Sequence, residues 1–185
     1  MCGIVGIFNL NGLPLNQEEF KIFNNSQKHR GPDGEGYYFD DYLGLGHRRL
    51  SILDLSDKGK QPMGCNRQRY WITYNGEIYN YKELSNYLSS KGIILKTKSD
   101  TEILTEGLEK DGIEFVNKID GFFAFAFLDK ANNNLILNRD LIGEKSLFYY
   151  VDDQELIFSS EIAPIIAVLQ TSVSIDYSQI YSAFK

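Results

Sequence analysis

The run Gly121–Lys130, GFFAFAFLDK, returns the chain to strand after two helical stretches. It turns through ANNN (131–134) into LILNRD (135–140), and SLFYYV (146–151) turns through DDQE (152–155) into LIFSS (156–160). Upstream, two capping-box patterns announce the helices. Asn80 stands three residues before Glu83 ahead of ELSNYLSSKG, and Ser99 three before Glu102 ahead of ILTEGLEKDG, each run ending at a glycine. The first third is again mostly strand. CGIVGIFNL (2–10) is β-branched and aromatic over a short span, and YYFDD, LGLGHRRLSILD and RYWITYNGEIYN read as strands and loops around one helix, NQEEFKIFNNSQKH (16–29), and one turn, RGPDGEG (30–36). Asn75-Gly76 lies inside one of these strands, although that dipeptide is a strong turn signal. Strands, then helices, then strands predict layers of antiparallel sheet covered by helices, rather than a parallel α/β alternation.

With 185 residues and 43% hydrophobic content, the chain is long enough for a substantial core in a single domain. Nineteen basic against 25 acidic residues give a net charge of −6. The basic residues are scattered, which argues against nucleic acid. No apolar run reaches membrane-spanning length and no signal peptide is recognisable, so a cytoplasmic protein is expected. In that reducing compartment Cys2 and Cys65 remain thiols. His29 and His47 lack metal-ligand spacing to each other or to either cysteine, so no metal site is expected. The last segment, SIDYSQIYSAFK (174–185), begins like a helix with Asp176 as N-cap and stops after about two turns without a C-cap, which predicts a chain cut from a larger protein.

Cys2 needs a reason tied to the terminus. A nucleophilic cysteine must reach its thiolate from a pKa of about 8.5, and a strand offers no helix N-terminus to help it. If Met1 is removed, the α-amine of Cys2 itself, with a pKa of about 7.7–8.0, becomes available as the base. It can take the thiol proton through a water, because two groups of one residue align poorly for direct transfer. Position 2 is the only place where a cysteine acquires a backbone amine in this way.

MCGIVGIF, HRGPDGEG, GHRRLSILD, YNGEIYNYKEL and SDTEIL, in this order, resemble the glutaminase domain of class II glutamine amidotransferases. RRLSILD and NGEIYN are especially similar to the asparagine synthetase branch, and DGFFAFAFLD, LNRDLIGEKSLFYY and LIFSSEI extend the likeness over nearly the whole chain. The resemblance implies an α+β fold, the four-layer αββα sandwich of N-terminal-nucleophile hydrolases. It also implies hydrolysis of the glutamine side-chain amide to glutamate and ammonia through a cysteinyl thioester.

Carried over residue by residue, Cys2 matches the nucleophile, and Asn75 and Gly76 match the oxyanion hole, where a carboxamide and a backbone N–H are suitable neutral donors. Arg49 matches the clamp on the substrate α-carboxylate, a bidentate task that suits guanidinium. Asp100 matches the partner of the substrate ammonium, with Glu77 beside it, and backbone groups of Leu50, Ser51, Ile52 and Leu53 complete the pocket. The resemblance further implies a C-terminal synthetase domain of the same chain. ATP and magnesium are expected there and no cofactor here, and any homo-oligomer is expected to form through the full-length protein.

The chain departs from the family pattern at Leu141, Ser146 and Ala163, where proline, proline and lysine are usual, and none of these is a catalytic position. Two rival readings remain at this level. One is a non-catalytic module that keeps the fold for assembly. The other is a papain-like hydrolase pairing Cys2 with His29 or His47. Taken singly, Asn75-Gly76 also reads as a hairpin turn, Asp100 as a helix-dipole residue, and Arg48 and Arg49 as two surface arginines. Cys65 reads as a loop or core thiol.

Overall fold

The computed structural model describes residues 1–51, 59–65 and 67–169. Ile52, Leu53 and the helix expected over 174–185 lie outside them.

Two antiparallel sheets stack face to face. The first contains β1 (Gly3–Asn9), β2 (Gly34–Phe39), β3 (Leu43–Arg49), β8 (Phe148–Val151) and β9 (Glu155–Ser159), in the order β2-β3-β1-β9-β8. The second contains β4 (Met63–Gly64), β5 (Tyr70–Ile78), β6 (Gly121–Asp129) and β7 (Asn134–Arg139), in the order β4-β5-β6-β7. The two-residue side-chain period sorts each strand between two cores. On β6, Ala124, Ala126 and Leu128 face the first sheet, meeting Ile4, Leu43, Leu45 and Phe158. Phe123, Phe125 and Phe127 of the same strand face outward, onto α2 (Tyr81–Ser90), α3 (Asp100–Asp111) and the 3₁₀ segment Gly112–Lys118. On the far side of the first sheet, Val5, Ile7 and Ile157 pack under α1 (Gln17–Asn25) and α4 (Ile162–Leu169) through Phe20, Phe23 and Ile165. The layers therefore run helix, sheet, sheet, helix, the expected αββα sandwich.

Asn75-Gly76 lies within a strand, as read from the sequence, and makes no turn: β5 continues through Ile78, with Asn75 opposite Ala124 and Gly76 opposite Phe123. Burial against β6 outweighs the dipeptide's preference. Neither capping box closes. Asn80 makes no side-chain cap, because its carboxamide instead bridges Lys118 O and Asp120 N. Ser99 does cap Thr101 N, but Glu102 accepts from the Lys96 and Thr97 N–H groups and the Thr97 hydroxyl, binding the preceding loop. Helix α1 ends at Asn25, short of the expected His29. Helix α4 was not anticipated at all, since Pro164 disguises it; proline is tolerated there because the first turn of a helix has no acceptor for its N–H.

Candidate active site

Cys2 immediately precedes β1, and the pairing of Gly3 with Arg48 sets it against the end of β3. There the Leu50 N–H points at Sγ, 3.4 Å away, and Leu50 O lies 3.8 Å from the same sulfur. Arg30 fixes the backbone from behind: its Nε donates to Cys2 O at 3.0 Å while Nη1 pairs with Glu161 at 3.2 Å. Burial pushes the Cys2 thiol above its ordinary pKa, opposed by the Leu50 N–H, the chain-terminal ammonium and Arg49, while Asp100 adds to the rise. With Met1 attached, the Cys2 nitrogen is an amide and offers no base.

Strand β5 supplies further polar groups, beginning with the face turned toward the first sheet. Thr73 donates its hydroxyl to Gly46 O of β3, so the face of β5 carrying Thr73 and, two residues on, Asn75 is the face turned toward the first sheet. Asn75 is 3% exposed, and its Nδ2 finds no acceptor among the described residues. A buried amide donor without a partner costs about 1–3 kcal/mol, so Nδ2 is placed to serve an acceptor that enters the site. The backbone adds a second donor. Tyr74 N–H leaves β5 on the edge away from β6 to reach Gln61, and Ile78 N–H leaves it on the same edge to reach Asp100. By the same alternation, the Gly76 N–H between them points to that edge. Glycine is also required at 76 for space, since a Cβ would stand 2.5 Å from Phe122 O and 2.8 Å from Phe123 Cα.

Asp100 opens α3 and is bonded by the Tyr74 hydroxyl at 3.0 Å. Burial raises its carboxyl pKa against the hydrogen bonds from Tyr74, Ile78 and Thr101, and the nearby exposed Glu77 raises it further. Asp100 and Glu77 thus place two carboxyl groups near enough to repel each other at the start of α3. Arg49, at the end of β3, lines a cleft of about 120 Å³ with Asp33, Ser51 and Gln61 among others, and the Ser51 N–H bonds Asp33 at 2.8 Å. Cys2, Arg49, Leu50, Asn75, Glu77 and Asp100 thus gather where β1, β3, β5 and α3 meet. Ser51 lies at the margin, in the Arg49 cleft. Anionic and cationic anchors flank one thiol, a layout suited to an α-amino acid whose side chain reaches the sulfur.

The surface reading of both arginines fails for Arg48, which is 4% exposed and paired with Glu35. Neither histidine partners the thiol. His29 pairs with Glu161 at 3.0 Å, and His47 is fully enclosed, hydrogen-bonded to the backbone of Tyr74, with its imidazole pKa lowered by burial and by Arg49 and Arg48 to about 3. Cys65 is a buried free thiol whose Sγ accepts from Tyr70 N–H at 3.4 Å. No group of metal-ligating side chains occurs among the described residues, and no helix among them is long and apolar enough to cross a membrane. Sequence reasoning missed Arg30 and Tyr74. Both lie inside quoted motifs, HRGPDGEG and YNGEIYNYKEL, which was the one signal available.

Residues 1–185 match the model of the family described as "Glutamine amidotransferase domain". The chain is 40% identical over its whole length to asparagine synthetase [glutamine-hydrolyzing] 1 of Bacillus subtilis, covering 30% of that protein. It is 42% identical over 91% of its length to a putative asparagine synthetase [glutamine-hydrolyzing] 2 of Methanocaldococcus jannaschii, covering 35% of it. The chain therefore spans about a third of the curated relatives it matches. Among solved structures, a glutamine phosphoribosylpyrophosphate amidotransferase from B. subtilis, complexed with ADP and GMP, superposes with a TM-score of 0.74. That match covers 90% of this chain and 43% of the other at 20% identity, a likeness of fold.

Proposed function

Since the chain belongs to the glutamine amidotransferase domain family, we propose that it hydrolyses the side-chain amide of glutamine and that Cys2, freed of Met1, is the nucleophile. The observation that carries this reading is the buried, unpartnered Nδ2 of Asn75 on the strand face turned toward Cys2's sheet.

The steps follow from the charges. Arg49 holds the α-carboxylate, and Asp100 with Glu77 holds the α-ammonium, leaving the amide carbon at Sγ. The Cys2 amine takes the thiol proton as sulfur attacks, and the amide oxygen becomes an oxyanion that accepts from Asn75 Nδ2 and the Gly76 N–H. The tetrahedral adduct collapses by breaking its C–N bond, and the leaving nitrogen collects the proton from the amine and departs as ammonia. Water then adds to the thioester carbon, its proton passing through the amine to the departing thiolate, and glutamate leaves. Activation by a terminal amine suits a thiol whose surroundings hold its pKa up.

The ammonia serves a synthetase portion of the same protein in the cytoplasm, where ATP and magnesium activate a carboxylate acceptor, aspartate by analogy with the relatives' names. The leading experiment measures ammonia and glutamate released from glutamine by the full-length protein and by Cys2→Ala. Release that vanishes in the variant supports the proposal; release that persists, or a wild type that releases none, refutes it.

A further inference from the structure

We infer that Gln61 is a positioning residue that ties the oxyanion donors to the ammonium anchor at Asp100; this rests on the glutaminase reading above. Gln61 is 8% exposed, and both ends of its carboxamide are engaged. Its Oε1 accepts from Tyr74 N–H at 2.6 Å and its Nε2 donates to Thr101 Oγ1 at 3.1 Å. The amide orientation is set by chemistry, because a backbone N–H can only donate and so must face the oxygen.

The two partners matter through their neighbours. Tyr74 N–H is on the edge of β5 that also presents the Gly76 N–H, one residue before Asn75. Beyond the short pairing of Met63 with Ile72 and Gly64 with Trp71, this edge receives no support from β4. Gln61 supplies the acceptor that β4 does not. Thr101 follows Asp100 in the first turn of α3, whose start is capped by Ser99. One side chain therefore sets the distance between the edge that receives the oxyanion and the helix end that receives the ammonium. The tyrosine hydroxyl closes the loop, since Tyr74 reaches Asp100 directly. Gln61 is itself held, because its backbone carbonyl sits against Gly36 of β2, where any Cβ would collide with it.

Gln61 bonds Tyr74 and Thr101, the neighbours of Asn75 and Asp100, and also lines the Arg49 cleft, so its loss should misplace the subsites together. Each single-role residue moves one kinetic constant, whereas Gln61→Met, which keeps the length and apolar volume, should lower kcat by about 10- to 100-fold and also raise KM severalfold. Thr101→Val cuts only the helix leg and should raise KM with kcat unchanged. In the double variant the KM effect should not exceed that of Gln61→Met alone, because the leg is already cut.

The test is steady-state glutaminase kinetics on the full-length wild type, both single variants and the double variant, at a temperature well below each unfolding midpoint. The split described supports the inference. Wild-type turnover with Gln61→Met unchanged in both constants, or with multiplicative KM effects in the double variant, overturns it alone. If Gln61→Met does not fold, Thr101→Val decides: a KM equal to wild type overturns the inference. A wild type without glutaminase activity removes the proposed function and this inference with it.

Discussion

Asn75→Ala should separate activity from stability in opposite directions. In a core position, truncation ordinarily destabilises, through a cavity term of about 24 cal/mol per Å³. A void of one water's volume, roughly 30 Å³, therefore costs about 0.7 kcal/mol. Asn75 is not ordinary, because its Nδ2 is buried without an acceptor among the described residues, and removing an unsatisfied donor returns about 1–3 kcal/mol. The net change in stability is expected between zero and a gain of about 2 kcal/mol. Catalysis should move the other way. The donor meets its acceptor only when the amide oxygen becomes an oxyanion, so its loss falls on kcat by roughly 10²–10³, or about 2.7–4 kcal/mol, with KM little changed. Denaturant unfolding paired with steady-state ammonia release measures both. A variant that loses several kcal/mol of stability would mark Asn75 as a structural residue with an acceptor of its own, and a retained kcat with raised KM would make it a substrate-positioning residue; either result removes it from the oxyanion hole.

Arg49→Ala is expected to raise KM for glutamine and leave kcat less affected, since the α-carboxylate is charged equally before and during the reaction; glutaminase kinetics check this, and a kcat collapse at unchanged KM would contradict it. His47 should make folding acid-sensitive. Its folded pKa of about 3 lies below the unfolded value of 6.5, so between them the unfolded chain holds the extra proton and stability falls as pH falls, by about 1.4 kcal/mol per pH unit for this one site. Chemical denaturation at pH 6 and pH 5 should therefore show a smaller loss in His47→Gln than in wild type by about that amount, and equal losses would show that His47 is not the group responsible.

What the sequence made legible was chemistry that travels as short local motifs. Cys2, Arg49, Asn75-Gly76 and Asp100 each sit in a run whose order is informative, and the grouping of strands around two helices was enough for the layered fold. Elsewhere a local preference yields to another partner in the fold. Asn75-Gly76 has the composition of a turn, but Ala124 and Phe123 hold it in strand. Asn80 and Glu102 carry capping spacing, yet one carboxamide is drawn to Lys118 and Asp120 and the other side chain to the loop at Lys96 and Thr97. Arg30 and Gln61 act on groups 28 and 13 residues away, Cys2 O and Tyr74 N, and nothing in their own neighbourhoods announces such reach.

The central claim is that a processed Cys2 is the nucleophile for glutamine, and covalent trapping tests it most directly. Full-length protein is incubated with 6-diazo-5-oxo-norleucine, a glutamine mimic that alkylates a nucleophilic thiol, and intact-mass and peptide mapping locate the adduct. The account predicts one adduct per chain, on a peptide that begins at Cys2 with Met1 removed, with Cys65 unmodified and glutamine slowing the labelling. An adduct on Cys65, or full glutaminase turnover by chains that uniformly retain Met1, would contradict it.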